Sequence, residues 1–396
     1  MIQVTSEEIK MGMVLAKSVY RENGELLLAS GYTINEKVVP KLKSLSIPYF
    51  WIQEKGTETI IPDELISDQI SLQSQASIRE NVDILKNMVD IQDSTMESVN
   101  ESMKDTKKFK NIIVAEKIKK SVSSIIDTLM SRESALVNLH SIRSKAGYLY
   151  QHALDVTIVA IILANKFHFN RFEIEELSLG CMLMDMGMVV IPDEVANKSS
   201  RLTFQEFTIL KEHTTYGFTI LKENSDVPLI SSHIAYQHHE RQDGAGYPRK
   251  LYGNNQVPIK RPTHDKGAIN RYAEIAAVAD TYVALTSPRP HNMVPKTPEQ
   301  AIRALITAAG SQLNHTVVDT LITLIPVFPV GTRIIIVKDE KYKMTGYTGI
   351  VARYRHETPD KPTIMVMFNQ KKEKTKPMLI DLTEEPGIKI QFVVLS

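Results

Sequence analysis

Cysteine is almost missing from this chain of 396 residues: Cys181, inside the apolar run 179–192, is the only one. One thiol excludes an internal disulfide and a thiolate-bound metal cluster, and a reducing compartment is expected. Excess charge is missing too, since 47 Lys and Arg face 46 Asp and Glu for a formal charge of +1. A dedicated nucleic-acid binder carries a broad basic footprint; DNA is therefore not an expected partner, and any anionic ligand must be recognised locally. Long apolar runs are absent as well. The longest, 156–164, is about half of the ~20 residues a membrane span requires, and the N-terminal stretch has no basic start followed by an apolar core. These absences lead to the expectation of a soluble, cytoplasmic protein without a membrane span.

What is present is ordinary globular composition, with 43% hydrophobic and 23% charged residues, which excludes disorder as a description of the whole. At roughly 150 residues per domain the length implies two or three domains. Residues 1–56 read as a small β-rich module, with Asn23-Gly24 as a hairpin turn before Leu26, Leu27 and Leu28, a helix near 36–45, and an apolar run at Tyr49, Phe50, Trp51 and Ile52. Residues 57–133 are richer in Ser, Gln, Asp, Glu and Lys. Up to about Phe109 they read as a connector, either a plain linker or a dimerising helix; beyond it Ile112, Ile113, Ile118, Val122, Ile125, Ile126 and Leu129 recur at helical spacing. Residues 134–326 read as an all-α domain, in which Thr203 and Glu206 have the form of a capping box. Residues 327–396 alternate again and read as a second β-rich module. Its strands are expected at 331–337, 347–354, 362–368 and 388–395, and Lys371, Lys372, Lys374 and Lys376 read as a solvated turn. The fold class is thus multidomain α+β, an all-α domain flanked by small N-terminal and C-terminal β-rich modules.

Function is argued from polar residues placed where apolar ones are expected. Asp185 is the only ionisable side chain from 179 to 191 apart from the thiol. A carboxylate there faces a desolvation cost of several kcal/mol unless it is paired with a cation or a metal; the plainer alternative is a helix cap. Asp280, among small apolar neighbours, repeats the situation. His152 aligns at helical spacing with Tyr148, Val156 and Val159, where a lone histidine is ordinarily a satisfied core residue. The most specific feature is the run 238–248, HHERQDGAGYP. Adjacent imidazoles repel when protonated, and neutral ones held by a metal avoid that conflict. Gly244 and Gly246 permit positive φ or a close backbone approach, and Tyr247-Pro248 makes a rigid aromatic turn. With His213 these residues form a nitrogen and oxygen donor set suited to iron, manganese or zinc.

The run 238–248, together with His152, Asp185, His213 and Asp280, resembles the HD-GYP family. This is a branch of the HD-domain metal-dependent phosphohydrolases, and its members hydrolyse cyclic di-GMP. The resemblance implies an HD-type helical domain. It also implies six metal ligands, His152, Asp185, His213, His238, His239 and Asp280, with Asp185 bridging two ions at the catalytic centre. Gly244, Gly246, Tyr247 and Arg289 would then position the nucleotide. The implied cofactors are one or two divalent ions, iron or manganese, with zinc or magnesium as alternatives. A third ion is not expected, because Tyr148 stands where a carboxylate would be needed.

The departures matter as much as the matches. Met184 stands where the family has the histidine of its HD pair, and Met188 where it has lysine. A thioether is a soft, weak ligand for ferrous iron or manganese. One implied site keeps only His152, Asp185 and Asp280, while the other keeps Asp185, His213, His238 and His239. His291 and Asn292 replace Tyr and Arg, Glu274 replaces Arg, and 257–267 is similar to an insertion. Two readings follow. One is a degenerate cyclic di-GMP sensor in signal transduction, relaying its state to a protein partner through the β-modules or the linker helix, or as a homodimer. The other is an active phosphodiesterase yielding the linear dinucleotide or GMP.

Overall fold

The computed structural model describes residues 1–21, 25–45, 47, 49–58, 60, 64–89, 96–131, 148–198, 200–258, 267–287, 295–355 and 358–393. They divide into two compact units. One contains Met1–Glu64 and Ile325–Ser396, the other Leu65–Val137 and Gly147–Leu324.

The first unit is β-rich. Strands β1 (Ile2–Thr5), β2 (Val14–Leu15), β3 (Val19–Tyr20) and β4 (Leu26–Leu28) precede helix α1 (Val39–Ser44) and strand β5 (Tyr49–Gln53). β5 lies between β1 and β2, and β3 pairs antiparallel with β4. The Asn23-Gly24 turn expected between β3 and β4 lies outside the described residues. From the C-terminal segment, β6 (Arg333–Lys338), β7 (Thr348–Arg355), β8 (Thr358–Phe368), β9 (Lys374–Asp381) and β10 (Lys389–Phe392) form an antiparallel sheet in the order β10-β6-β7-β8-β9.

Although they lie at opposite ends of the sequence, the two β-rich segments share one unit. Ile60 joins the apolar cluster of the five-stranded sheet, and Lys374 pairs with Glu54 at 2.6 Å. β9 corrects the reading of the lysine cluster as a turn. Lys371 is in the turn, but Lys374 and Lys376 lie on an edge strand whose residues are mostly exposed. Edge strands commonly carry lysines because their charge blocks pairing with another chain, which makes such a strand resemble a solvated turn in sequence.

The second unit is helical. It contains α2 (Asp68–Met88), α3 (Met96–Lys104), α4 (Ala115–Met130), α5 (Tyr148–Lys166), α6 (Arg171–Leu183), a 3₁₀ turn (Met186–Val190), α7 (Asp193–Ala196), α8 (Phe204–Lys222), α9 (Leu229–Gln237), α10 (Arg271–Thr286), α11 (Pro298–Ala308) and α12 (His315–Ile322). None of the described helices is long and apolar enough to cross a membrane. The polar stretch read as a connector contributes α2, which packs against α4 and α5 within this unit. Its buried face includes Ser74, Ser77 and Asn81 beside Ile78, Val82 and Leu85. The serine hydroxyls donate to carbonyls of their own helix, and Asn81 accepts from the backbone N–H of Val114 at 2.7 Å. Polar groups satisfied in this way can be buried, and they mask the apolar stripe in the sequence.

Helix α8 carries site residues and starts at the capping box expected from the sequence. The Thr203 hydroxyl accepts from Glu206 N–H, and the Glu206 carboxylate accepts from Thr203 N–H and from Lys198 Nζ at 2.6 Å. The Lys198 hydrogen bond, followed by that from the Thr203 backbone, lowers the Glu206 pKa to about 2. A carboxyl whose folded pKa is depressed stabilises the fold above its unfolded pKa of about 4.5 and loses that contribution as pH falls through about 2. Glu206→Gln is therefore expected to lower the melting temperature at pH 7, with the gap from wild type closing between about pH 4.5 and pH 2; a pH series of thermal melts checks this.

Candidate metal centre

Close backbone packing brings the donors together. A Cβ on Gly187 would stand 1.9 Å from the carbonyl oxygen of His213 and 2.5 Å from the amide nitrogen of Gly217. Only a residue without Cβ permits this approach, and it seats the 3₁₀ turn that follows Asp185 directly on α8. Asp185 occupies the N-cap position of that turn, but its side chain makes no capping bond, so the plainer reading of this carboxylate is not the one the fold adopts. Its Oδ1 lies 3.9 Å from His213 Nε2 and 3.8 Å from His238 Nε2, and its Oδ2 lies 4.0 Å from His152 Nε2. The two oxygens thus face two separate groups of nitrogen donors.

The His213 and His238 rings are each held from behind. His213 Nδ1 donates to the Leu210 carbonyl at 2.7 Å, and His238 Nδ1 donates to the carbonyls of Ile234 at 3.0 Å and Ala235 at 3.1 Å. A carbonyl only accepts, so the Nδ1 atoms carry the protons and, in the neutral rings, the Nε2 lone pairs are bare. Those two Nε2 atoms face each other at 3.3 Å. Burial, followed by the neighbouring His238, lowers the His213 pKa to about 4, which opposes a proton bridge near neutrality. At metal–nitrogen distances of about 2.0–2.1 Å, two nitrogens on one ion stand about 2.9–3.4 Å apart, and the observed separation falls in that range. His239 completes the group: ligand atoms of His213, His238 and His239 lie within 4.8 Å of one another. Burial, then His238 and His213, also push the His239 pKa well down. The donor set fits a divalent ion.

On the other side of Asp185, His152 Nε2 is 2.8 Å from Asp280 Oδ1. Burial alone would raise the Asp280 carboxyl, but the hydrogen bond and charge of His152, with His239 and His238 beyond, bring its pKa below the ordinary value. Met184, at the C-cap of α6, is fully buried. The side chains from His152, Asp185, His213, His238, His239 and Asp280 are thus all brought to one place.

The loop after His239 covers the donors. Tyr247 N–H donates to the His239 carbonyl, and the two rings stand 4.9 Å apart. Gly244 has φ +73°, and a Cβ on Gly246 would lie 2.4 Å from the amide nitrogen of Arg241; these glycines are conformational requirements of the loop. Arg289, His291 and Asn292 lie outside the described residues, as does most of 257–267.

Sequence reading missed Glu240 as an organiser. Its buried carboxylate accepts from the backbone N–H groups of Arg249 at 2.7 Å and Leu251 at 2.9 Å, tying the far end of the loop to the histidine pair. The signal was an acid directly after two histidines. Glu274 is likewise buried and accepts from Gln242 at 2.7 Å, so this departure from the family pattern braces the same loop.

The HD domain family profile matches residues 125–317. This segment is an HD domain. Over 176 residues the chain is 35% identical to a cyclic di-GMP phosphodiesterase of Thermotoga maritima, covering 44% of this chain and 44% of that protein. It is 27% identical over 262 residues to a cyclic di-GMP phosphodiesterase of Pseudomonas aeruginosa, covering 66% and 58%. With a 3'3'-cGAMP-specific phosphodiesterase of Vibrio cholerae it shares 26% identity over 204 residues, covering 51% and 36%. The chain spans 36% to 58% of the length of these curated relatives.

The packing of Gly187 gives a direct test. Gly187→Ala is expected to lower stability by about 1–3 kcal/mol, because the clashing atoms are backbone and cannot turn away. Bound metal should fall with it, since the turn that follows Asp185 must withdraw from α8; denaturant unfolding and metal analysis of the purified protein check both.

Proposed function

We propose that the HD domain of this protein is a cyclic di-GMP-binding metal centre with strongly reduced hydrolysis, acting as a sensor. The observation that carries this reading is the facing Nε2 pair of His213 and His238 at 3.3 Å, beside a second donor group reduced to His152 and Asp280. Asp185, His213, His238 and His239 would hold one divalent ion, iron or manganese. His152, Asp185 and Asp280 make a weaker second position, because Met184 supplies a buried thioether in place of an imidazole. When bound, a divalent ion supplies Lewis-acid polarisation of a phosphate oxygen and acidifies a water.

The chain's own residues do the rest. Asp185 directs one oxygen to each donor group, Glu240 holds the loop that places Tyr247 over His239, and Gly244 and Gly246 let that loop fold tightly against Tyr252 and the backbone of Glu240 and Arg241. Met188 is neutral, so it offers no charge to a phosphate. The printed names of the relatives support a cyclic dinucleotide as ligand. Active hydrolysis is the second reading; it is favoured by His152, Asp185 and Asp280 remaining within 4.0 Å along the path through His152.

The test is cyclic di-GMP binding by calorimetry and hydrolysis by chromatography, with protein loaded anaerobically with ferrous iron or manganese. Wild type is expected to bind, and Asp185→Ala to lose both metal and nucleotide. Met184→His combined with Met188→Lys is expected to raise turnover about 10²–10³-fold, the usual weight of one electrostatic contribution to a charged transition state. Wild-type turnover equal to that of the double variant would establish the second reading and overturn the first.

A further inference from the structure

A cluster of donor atoms within 4.8 Å is far smaller than a molecule with two nucleobases and two phosphates, so most of such a ligand must lie outside the cluster, one flank of which is the Tyr247 ring against His239. Two residues of α8 stand against that ring. Phe207 meets Tyr247 edge-on, with centroids 6.2 Å apart, yet remains 43% exposed. One turn further, Lys211 Nζ stands 5.3 Å from the Phe207 ring centre and 5.9 Å from that of Tyr247. Phe204, in the first turn, is 83% exposed. Lys211 makes no ion pair among the described residues, and an exposed cation–π contact contributes only about 0.5–1 kcal/mol. The fold therefore neither neutralises this ammonium nor depends on it.

Exposed aromatic faces beside an unneutralised cation are what nucleotides use away from base-specific hydrogen bonds: a base stacks and a phosphate finds a positive charge. We propose that Phe207 and Lys211 form an outer subsite for the cyclic dinucleotide, with Phe207 stacking the nucleobase distal to the metal and Lys211 pairing with the distal phosphate. This rests on the reading of the HD domain as a cyclic dinucleotide site. Tyr247 is the shared wall: one ring contact is with His239 of the donor group, the others with Phe207 and Lys211. Met188 carries no charge, which makes a cation on α8 the more useful to a doubly charged ligand.

The experiment measures the Kd of the full-length, manganese-loaded chain for cyclic di-GMP at two salt concentrations, with metal content determined on each sample. Phe207→Leu, which keeps apolar volume and removes the ring, is expected to weaken binding about ten-fold or more. Lys211→Gln is expected to weaken it about ten-fold and to flatten its salt dependence, while Lys211→Arg restores both and all variants keep wild-type metal content. Unchanged affinity in Phe207→Leu and Lys211→Gln, with wild type binding, would overturn the subsite and leave the HD domain reading intact. Loss of affinity accompanied by loss of metal, or shared by Lys211→Arg, would also overturn it, by assigning these residues to the fold. Wild type that holds metal but binds no cyclic di-GMP would overturn the subsite and the reading beneath it.

Discussion

Two bare imidazole nitrogens, those of His213 and His238, point at each other across 3.3 Å of buried space, and much of the helical unit is arranged around that unfavourable pair. Their other ring nitrogens donate to backbone carbonyls of α8 and α9, so neither ring can turn its lone pair away. Burial resists a proton between them. A divalent cation relieves the conflict, and the surroundings are matched to that use: Gly187 lets the turn after Asp185 press on α8, and the carboxylate extends its two oxygens toward donors on either side.

On the proposed reading, the two halves of the centre are unequal for a chemical reason. Around His213, His238 and His239 every donor is a hard or borderline nitrogen or oxygen. On the other side, the proposed reading has Met184, buried at the end of α6, where the family resemblance implies one more imidazole, and a thioether would not be a comparable ligand. His152 and Asp280 stay hydrogen-bonded to each other. A centre of the proposed kind would anchor an anionic ligand but hydrolyse it slowly, because two-metal hydrolysis stabilises charge on both the attacking and the leaving oxygen. The loop 240–251 is held by buried hydrogen bonds of Glu240, Gln242 and Glu274.

Much of this was legible in the chain itself. Asp185, Asp280 and His152 stood out because ionisable groups in apolar helices need partners, and the histidine pair stood out because its spacing conflicts with protonation. The capping box at Thr203 could be read because it is a local device, closed within four residues. Less legible were elements whose character depends on distant neighbours. α2 looked like a connector because Ser74, Ser77 and Asn81 replace apolar residues on its buried face, one of them satisfied by Val114. β9 looked like a turn because an edge strand tolerates lysines. Glu240 looked like one more loop acid until its backbone partners nine and eleven residues away were in place.

The sequence by itself determined the donor types, the helices that carry them, the glycines of the loop and the methionines at 184 and 188, since each follows from residue chemistry or short-range periodicity. Only the tertiary structure decided which nitrogen of each ring faces the centre, that Asp185 serves both donor groups and caps nothing, and that Phe207 and Lys211 stand beside Tyr247. Those facts depend on helices crossing at close range. The distances involved join residues such as 152 and 280, or 207 and 247, whose separation along the chain carries no information about their separation in space.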